Sequence, residues 1–227
     1  MLRSMKKDVR GFTIGATDGD IGKVDEFYFD DTSFTVRHLV VDTGGWLGHH
    51  QVLISPMAVR DIDWVGKRIK AALTKAQVER SPVINTDKPV SRQHEIEYYS
   101  YYGYSPYWAK EDGDSHLRSS AAVVGYRIAA TDGDVGHVED FLVDDATWAI
   151  RYVVVDTRNW WPGKRVLVSP EWIERIDWSD AKVHVGVTRE QIRKSPEYDP
   201  SDPVARDYEA RLHDHYGRPR YWERRAR

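Results

Sequence analysis

The chain contains no cysteine, so disulfide bonds, thiolate metal sites and thiol nucleophiles are excluded. It also lacks a charge excess. Its 33 basic and 36 acidic residues leave a net charge of -3, too small to make a polyanion or an anionic membrane the expected partner. No stretch approaches the roughly 18 apolar residues of a membrane span. The opening MLRSMKKDVRGFTIG is basic without the apolar run of a signal peptide, so the cytoplasm is the expected address. What is present is ordinary for a globular protein: 41% hydrophobic and 30% charged residues over 227 positions, room for one large domain or two small ones.

A repeat decides between them. ATDGDIG at 16–22 returns as ATDGDVG at 130–136, and Thr17 with Thr131 sets an offset of 114 residues that holds without a gap to the far end. Ser55-Pro56 falls on Ser169-Pro170, Ile62-Asp63-Trp64 on Ile176-Asp177-Trp178, and Tyr107-Trp108 on Tyr221-Trp222. A period this long is a whole folding unit, not a solenoid repeat. Two domains are expected, at 1–108 and 122–227, joined by the polar linker AKEDGDSHLRSSA at 109–121.

In each copy the first part reads as β: runs rich in valine, isoleucine and aromatics, broken at short intervals by Gly, Asp and Ser-Pro, as in a small antiparallel sandwich or barrel. Asp18-Gly19 and Asp132-Gly133 suit turn centres, where a hairpin needs positive φ. TVRHLVVDT at 35–43 and AIRYVVVDT at 149–157 are apolar on both alternating faces, which requires something to pack outside them. RIKAAL at 68–73 alternates, placing Ile69, Ala71 and Leu73 inward, and Val183, Val185 and Val187 match them. Thr74 with Gln77, and Thr188 with Gln191, fit capping boxes of short helices. A second helix is expected from Asp202-Pro203, with stripes at Val204, Tyr208, Leu212 and Tyr216 and at Val90, His94, Tyr98 and Tyr102, ending at Gly217 and Gly103.

The order ATDGDIGKVDEFYFDD, VRHLVVDTGGW, HHQVLISPMAV resembles the PRC-barrel family, and the second copy resembles it equally. The motifs are a D-G-x-x-G turn, a strand ending in Val-Val-Asp and a strand running into Ser-Pro. The resemblance implies a mainly β fold with short helices: two tandem small PRC-type β-barrels, each with a C-terminal helical extension. The family includes the cytoplasmic part of the photosynthetic reaction-centre H subunit and the C-terminal domain of a ribosome maturation factor, both binding and assembly roles without catalysis. Some two-copy members are linked with stress or photosynthesis. The family pattern carries no catalytic residues, and none is assigned here.

The acidic residues Asp18, Asp20, Asp30 and Asp31, with Asp132, Asp134, Asp144 and Asp145, raise the idea of a cation site or a carboxylate pair. D-G-D lacks the alternating ligands and distal glutamate of a calcium loop, so aspartates bonded to turn backbone are expected instead. His49 and His50 would point to opposite faces of a strand, and His213 and His215 diverge on a helix, so no metal or other cofactor is expected. The loops GGWLGHHQ at 44–51 and RNWWPGKR at 158–165 place Trp46 and Leu47, and Trp160 and Trp161, as candidate interaction residues or as covers over a barrel mouth. In YYSYYGYSPYW at 98–108 the repeat requires only Tyr102, Gly103, Tyr107 and Trp108. The additional Tyr98, Tyr99, Tyr101 and Tyr104 could cover the other barrel or a partner. The tail RPRYWERRAR is basic, but nucleic acid is not the expected partner.

The expected function is a non-catalytic cytoplasmic interaction or assembly module with a stress link, engaging an unidentified protein partner and paired as a homo-oligomer or an intramolecular pseudo-dimer. The alternatives are a ligand- or ion-binding regulatory protein, an RNA- or ribosome-associated factor and, last, an enzyme.

Overall fold

The computed structural model describes residues 1–48, 50–82, 90–108, 115–157 and 163–223. In chain order the strands are β1 (Leu2–Ser4), β2 (Thr13–Ala16), β3 (Gly19–Asp30), β4 (Thr35–Asp42), β5 (Gln51–Ile54), β6 (Val59–Asp63), β7 (Arg68–Ala71) and β8 (Leu117–Ser119). They continue as β9 (Arg127–Ala130), β10 (Gly133–Asp144), β11 (Ile150–Asp156), β12 (Arg165–Val168), β13 (Ile173–Asp177) and β14 (Lys182–Val185). The helices are α1 (Lys75–Glu79), α2 (Arg92–Tyr102), α3 (Ser120–Val123), α4 (Arg189–Lys194) and α5 (Arg206–Tyr216).

The chain forms two compact units, one of Met5–Ala121 and one of Met1–Ser4 with Ala122–Arg227. In the first, the sheet order is β5-β4-β3-β2-β7-β6, antiparallel except for the parallel pair of β2 with β7. The ends of this path, β5 and β6, are joined only by Ser55 and a 3₁₀ turn at Pro56–Ala58, so the sheet must curl round on itself. Ser55 starts that turn with its hydroxyl accepting the Met57 N–H, and Ser169 repeats this with Glu171, which is the role of the Ser-Pro motif. The second unit repeats the order as β12-β11-β10-β9-β14-β13.

The divisions expected at 1–108 and 109–121 do not match these units. Residues 1–4 join the second unit, and the expected linker ends in β8, which pairs with Tyr28–Asp30 of β3. β1 pairs in the same way with Leu142–Asp144 of β10. The reason lies in the two long strands. One edge of β3 is taken by β4 along most of its length, but on the other β2 reaches only from Gly19 to Lys23, leaving the far half open. An open edge takes a partner where one is available. Three residues are too few to show a periodicity, so neither strand is visible in hydropathy. The segments Leu2-Arg3-Ser4 and Leu117-Arg118-Ser119 are 115 residues apart, not 114. The additional residue in the first copy is absorbed by a π-helical turn at Met5–Val9, where the second copy has the four-residue α3.

β4 is buried at Val36, His38, Leu39, Val40 and Val41, as its two-faced apolar pattern requires. Leu39 and Val41 pair with Ile54 and Val52 in the sheet core, while Val40 joins Tyr28 and Leu53 beneath Val90, Tyr98 and Tyr99. The cover outside β4 is therefore α2. Tyr98 and Tyr99 pack on their own copy's sheet, with Tyr104 half-buried beside them and Tyr101 exposed. The Tyr98 hydroxyl accepts from Ser55 N–H at 2.9 Å and donates to Leu53 C=O at 3.2 Å, doing at the edge of β5 what a neighbouring strand would do. The inward alternation of Ile69, Ala71 and Leu73 and of Val183, Val185 and Val187 is present as expected, and both capping boxes form.

Two helix details differ from expectation. α5 starts at Arg206 behind an uncapped Ala205 rather than at Asp202-Pro203, because Asp199 organises Ser201 and Asp202 into a turn of their own. The buried faces run through Glu95, Tyr98 and Tyr99, and through Glu209, Leu212, His213 and Tyr216, so each contains a carboxylate that an apolar stripe would miss. Gly103 and Gly217 end these helices at φ 68° and 62°.

The second glycine of the D-G-x-x-G motif has a distinct task. Gly22 and Gly136 lie where β3 and β10 shift register against β2 and β9, and a Cβ there would sit 2.0 Å from the Asp42 carbonyl oxygen and 2.3 Å from that of Asp156. Backbone atoms cannot yield as a side-chain tip can, so Gly22→Ala should destabilise the first unit by about 1–3 kcal/mol or more, with the second unit's urea midpoint unchanged. An unaltered first-unit transition would refute the contact.

Candidate functional site

In each unit a network of polar side chains lies beneath the covering helix, and the two copies build it from the same positions. In the first, Arg92 donates to Glu95 at 2.7 Å, with the glutamate side chain fully buried, and the Tyr107 hydroxyl donates to the other carboxylate oxygen. Arg37, from β4, lies 3.9 Å from the Tyr107 ring centre, and Arg92 lies 4.5 Å from that of Trp108. In the second, Arg206 meets Glu209 at 2.9 Å and Tyr221 donates to it at 2.8 Å. There Arg151 stacks on Tyr221 at 4.4 Å and Arg206 on Trp222 at 4.4 Å. An arginine three residues before the glutamate on one helix face sets this geometry. The stacked guanidiniums draw the aromatic tail of each copy back over it.

Burial pushes the Glu95 carboxyl above the usual carboxylate range, against the opposing pull of Tyr107 and Arg92. The Tyr107 phenol is raised by burial and by the adjoining Glu95 charge, and Tyr221 is pushed up to about 12 by burial and Glu209. Both phenols stay protonated at neutral pH and act as donors to a carboxylate.

One difference between the copies is an exchange of two side chains. His38 on β4 faces Tyr99 on α2, whereas Tyr152 on β11 faces His213 on α5. In the second copy the pair is bonded: the single Tyr152 hydroxyl proton is shared between Glu209 at 3.1 Å and His213 Nε2 at 3.0 Å. His213 Nδ1 lies 2.9 Å from the Pro219 carbonyl, an acceptor only, which assigns the ring proton to Nδ1. In the first copy His38 is wholly buried, edge-on to Tyr98 and Tyr99, and neither ring nitrogen has a hydrogen-bond partner among the described residues. Burial, with the neighbouring Arg37 charge, lowers it to about 3.

Tyr107, Trp108, Tyr99 and His213 were singled out in the sequence and belong to this network, whereas Trp46, Leu47 and the turn aspartates do not. Trp46 sits half-buried in a 3₁₀ turn at Gly44–Leu47, with Leu47 half-buried beside it. Its indole N–H donates to the Ile21 carbonyl and the Lys75 ammonium lies 4.3 Å from its ring centre. Trp160 and Trp161 lie outside the described residues, as does His49. The hairpin centres are Thr17-Asp18 and Thr131-Asp132, with Gly19 and Gly133 opening the next strand at φ 141° and 136°. Asp18 and Asp132 accept the backbone N–H of Lys75 and Arg189, the first residues of α1 and α4, at 2.8 and 2.7 Å.

The other aspartates are not brought together. Asp30 accepts from Thr32 and Ser33, Asp144 from Ala146 and Thr147, Asp20 pairs with Arg68 and Asp134 with Lys182. Among the described residues no group of three or more histidine, aspartate or glutamate side chains is placed to hold a metal. His215 turns to the Gln191 carbonyl, away from His213. In the basic tail, Arg218 donates to the Gly186 carbonyl and Arg220 pairs with Asp214 and Glu223. No helix among the described residues is long and apolar enough to cross a membrane.

The sequence reading passed over His38, Arg92 and Glu95. A signal existed: Arg-x-x-Glu stands at 92–95 and 206–209 while the residues between them change.

His38 gives the first unit an acid sensitivity. Its folded value lies below the ordinary 6.5, so above that pH its neutral ring carries no penalty. As pH falls from about 6.5 towards 3 the unfolded chain takes up a proton that the folded unit refuses. Stability should then be lost at up to about 1.4 kcal/mol per pH unit. His38→Phe, which keeps the ring contacts, should flatten that slope in a urea titration followed by exchange of the β4 amides. An undiminished slope would assign the acid sensitivity to other groups.

Comparison with curated proteins returns no match. The PRC-barrel domain is matched twice, over residues 6–78 and 118–192, which together make up more than half of the chain and stop short of α2 and α5. Both matched segments carry the curled sheet, the D-G-x-x-G hairpin and the Ser-Pro turn, and the chain belongs to the PRC-barrel domain family as a tandem two-copy member.

Proposed function

We propose that the chain is a non-catalytic protein-interaction or assembly module working in the cytoplasm, with a role in stress. The observation that carries this reading is where the perturbed ionisable groups lie. Glu95, Tyr107 and His38, with Tyr152, Tyr221 and His213, face one another and the sheet beneath α2 and α5. Burial is the leading cause of each shift, as in a structural network rather than a reacting centre. What remains for function is surface.

The loop around Trp46 is the surface best suited to it. Its ring is fixed by the bond to Ile21 and by Lys75, so a half-exposed aromatic stands ready without further ordering. Aromatic anchors of this kind carry a large share of binding energy at interfaces. Trp160 holds the same place in the second copy's sequence.

The full chain and a Trp46→Ala, Trp160→Ala variant of confirmed fold should be compared in a native pull-down from source-cell lysate with mass spectrometry. The expected result is a specific protein retained by the wild type and reduced at least tenfold by the variant. Equal retention by both would move the surface away from these loops, and no specific partner would overturn the module reading.

A further inference from the structure

The strands β1 and β8 are seated by one repeated set of contacts. Ser4, Arg3 and Leu2 pair with Leu142, Val143 and Asp144, while Ser119, Arg118 and Leu117 pair with Tyr28, Phe29 and Asp30. The central arginine of each reaches the aspartate just beyond the acceptor strand: Arg3 to Asp145 at 3.3 Å and Arg118 to Asp31 at 2.7 Å. The serine of each donates to an acid within the strand, Ser4 to Asp140 and Ser119 to Glu26. The acceptor positions keep the offset of 114 and the strands an offset of 115, so the seat is kept although the connection to it differs by a residue. Each seat recognises an extended Leu-Arg-Ser segment by main-chain pairing and two acids, which is strand addition at a sheet edge.

In each case the segment occupying the seat is the one that leads, in sequence, into the other unit: β1 runs into Met5–Ala121 yet pairs in the second unit, and β8 runs into Ala122–Arg227 yet pairs in the first. We infer that β1 is an exchangeable strand, and that the seat on Leu142–Asp144 takes the Leu2–Ser4 strand of a second copy of this chain, joining two chains by reciprocal transfer. A second copy offers the identical segment, so every contact of the seat is regained after transfer, the condition under which strand exchange gives dimers at little expense in stability. β1 is the better candidate of the two. Leu2 is half-buried where Leu117 is buried, and Arg3 lies 3.3 Å from Asp145 where Arg118 lies 2.7 Å from Asp31, each aspartate having a second partner, the Met1 ammonium at 2.6 Å and His116 at 2.9 Å. A three-residue ladder is also a small unit to open. Within one chain the high effective concentration favours self-seating, so exchange should grow with protein concentration.

This inference rests on the assembly reading and names one partner for it. It concerns a surface apart from the tryptophan loops, so its failure leaves the pull-down result standing. Two full-length variants test it: Arg3→Glu, which mismatches the donor, and Asp145→Arg, which mismatches the acceptor. Each alone sets like charges at the seat, both within a chain and between identical chains. Mixed one to one, they can form complementary pairs only across two chains, twice in one dimer. Native mass spectrometry and light scattering should find one-chain masses for each variant and a mixed two-chain species in the mixture. The single-chain double variant, Arg3→Glu with Asp145→Arg, should regain the hydrogen-exchange protection of the Leu142–Asp144 amides that each single variant loses. A mixture of one-chain masses beside a restored double variant would show a seat that does not transfer and would overturn the inference. Failure of the double variant to regain protection would overturn it too, because the Arg3–Asp145 pair would not be what the seat reads.

Discussion

The architecture depends on satisfying one long strand in each unit. β3 and β10 are each twelve residues long, and a strand of that length has two edges and two faces to account for. One edge is met by a neighbour of ordinary length, β4 or β11. The other is met in two pieces, by the hairpin partner near the start and by a borrowed tripeptide near the end. The inner face lies in the sheet's own core, and the outer face needs a separate cover. From this follow both additions to the curled sheet, the exchanged strand and the covering helix. Neither is needed by the six-stranded path itself.

The cover explains the unusual polarity of the interior. A helix that covers a sheet and then turns back must bring an aromatic tail down over its own first turn. Arginine stacked on tyrosine and tryptophan does this in both copies, at the price of a buried carboxylate to balance the guanidinium. Breaking one partner of such a group leaves a buried charge unmatched, which destabilises far more than the pair stabilises. That asymmetry accounts for Arg, Glu, Tyr and Trp being kept together in both copies, while His and Tyr across the sheet have changed places. The second copy bonds that pair. In the first, the role of edge donor and acceptor falls to Tyr98, whose hydroxyl serves β5, while His38 has no hydrogen-bond partner among the described residues. Leu212 stands at the Tyr98 position in the second copy, and there the Tyr198 N–H bonds the Arg165 carbonyl of β12.

What was legible in the sequence follows from which forces leave a periodic trace. The duplication, the two-faced β4 and β11, the inward alternation of Ile69, Ala71 and Leu73, the capping boxes and the terminal glycines of α2 and α5 all show at the level of residue type and spacing. The face of α2 does not, because it is read as apolar at Val90, His94, Tyr98 and Tyr102 while the buried side chains include Arg92 and Glu95. Burial of an ion pair leaves no hydropathy signal, only the coincidence of two copies retaining it. The start of α5 was misplaced because Asp202-Pro203 has the chemistry of a helix entrance, yet Asp199 had already organised that turn. The tyrosine-rich stretch was legible in its invariant members and not in the rest. Tyr98 and Tyr99 give no sign in sequence of which sheet they cover.

The exchanged strands were hidden for a related reason. Alignment from Thr17 onward is gapless, and the eye extends that offset backward, where it fails by one residue before Val9. A π-helical turn in one copy and a four-residue helix in the other lead to the same three ladder pairs and the same two acids. A length change tolerated in the connection and absent from the seat means that the contacts with the acceptor edge, not the path to it, are the constrained quantity. A strand free in its tether and fixed in its seat is a ligand of the sheet that happens to be covalently attached, which is why the acceptor edge is better regarded as a binding site than as a structural seam.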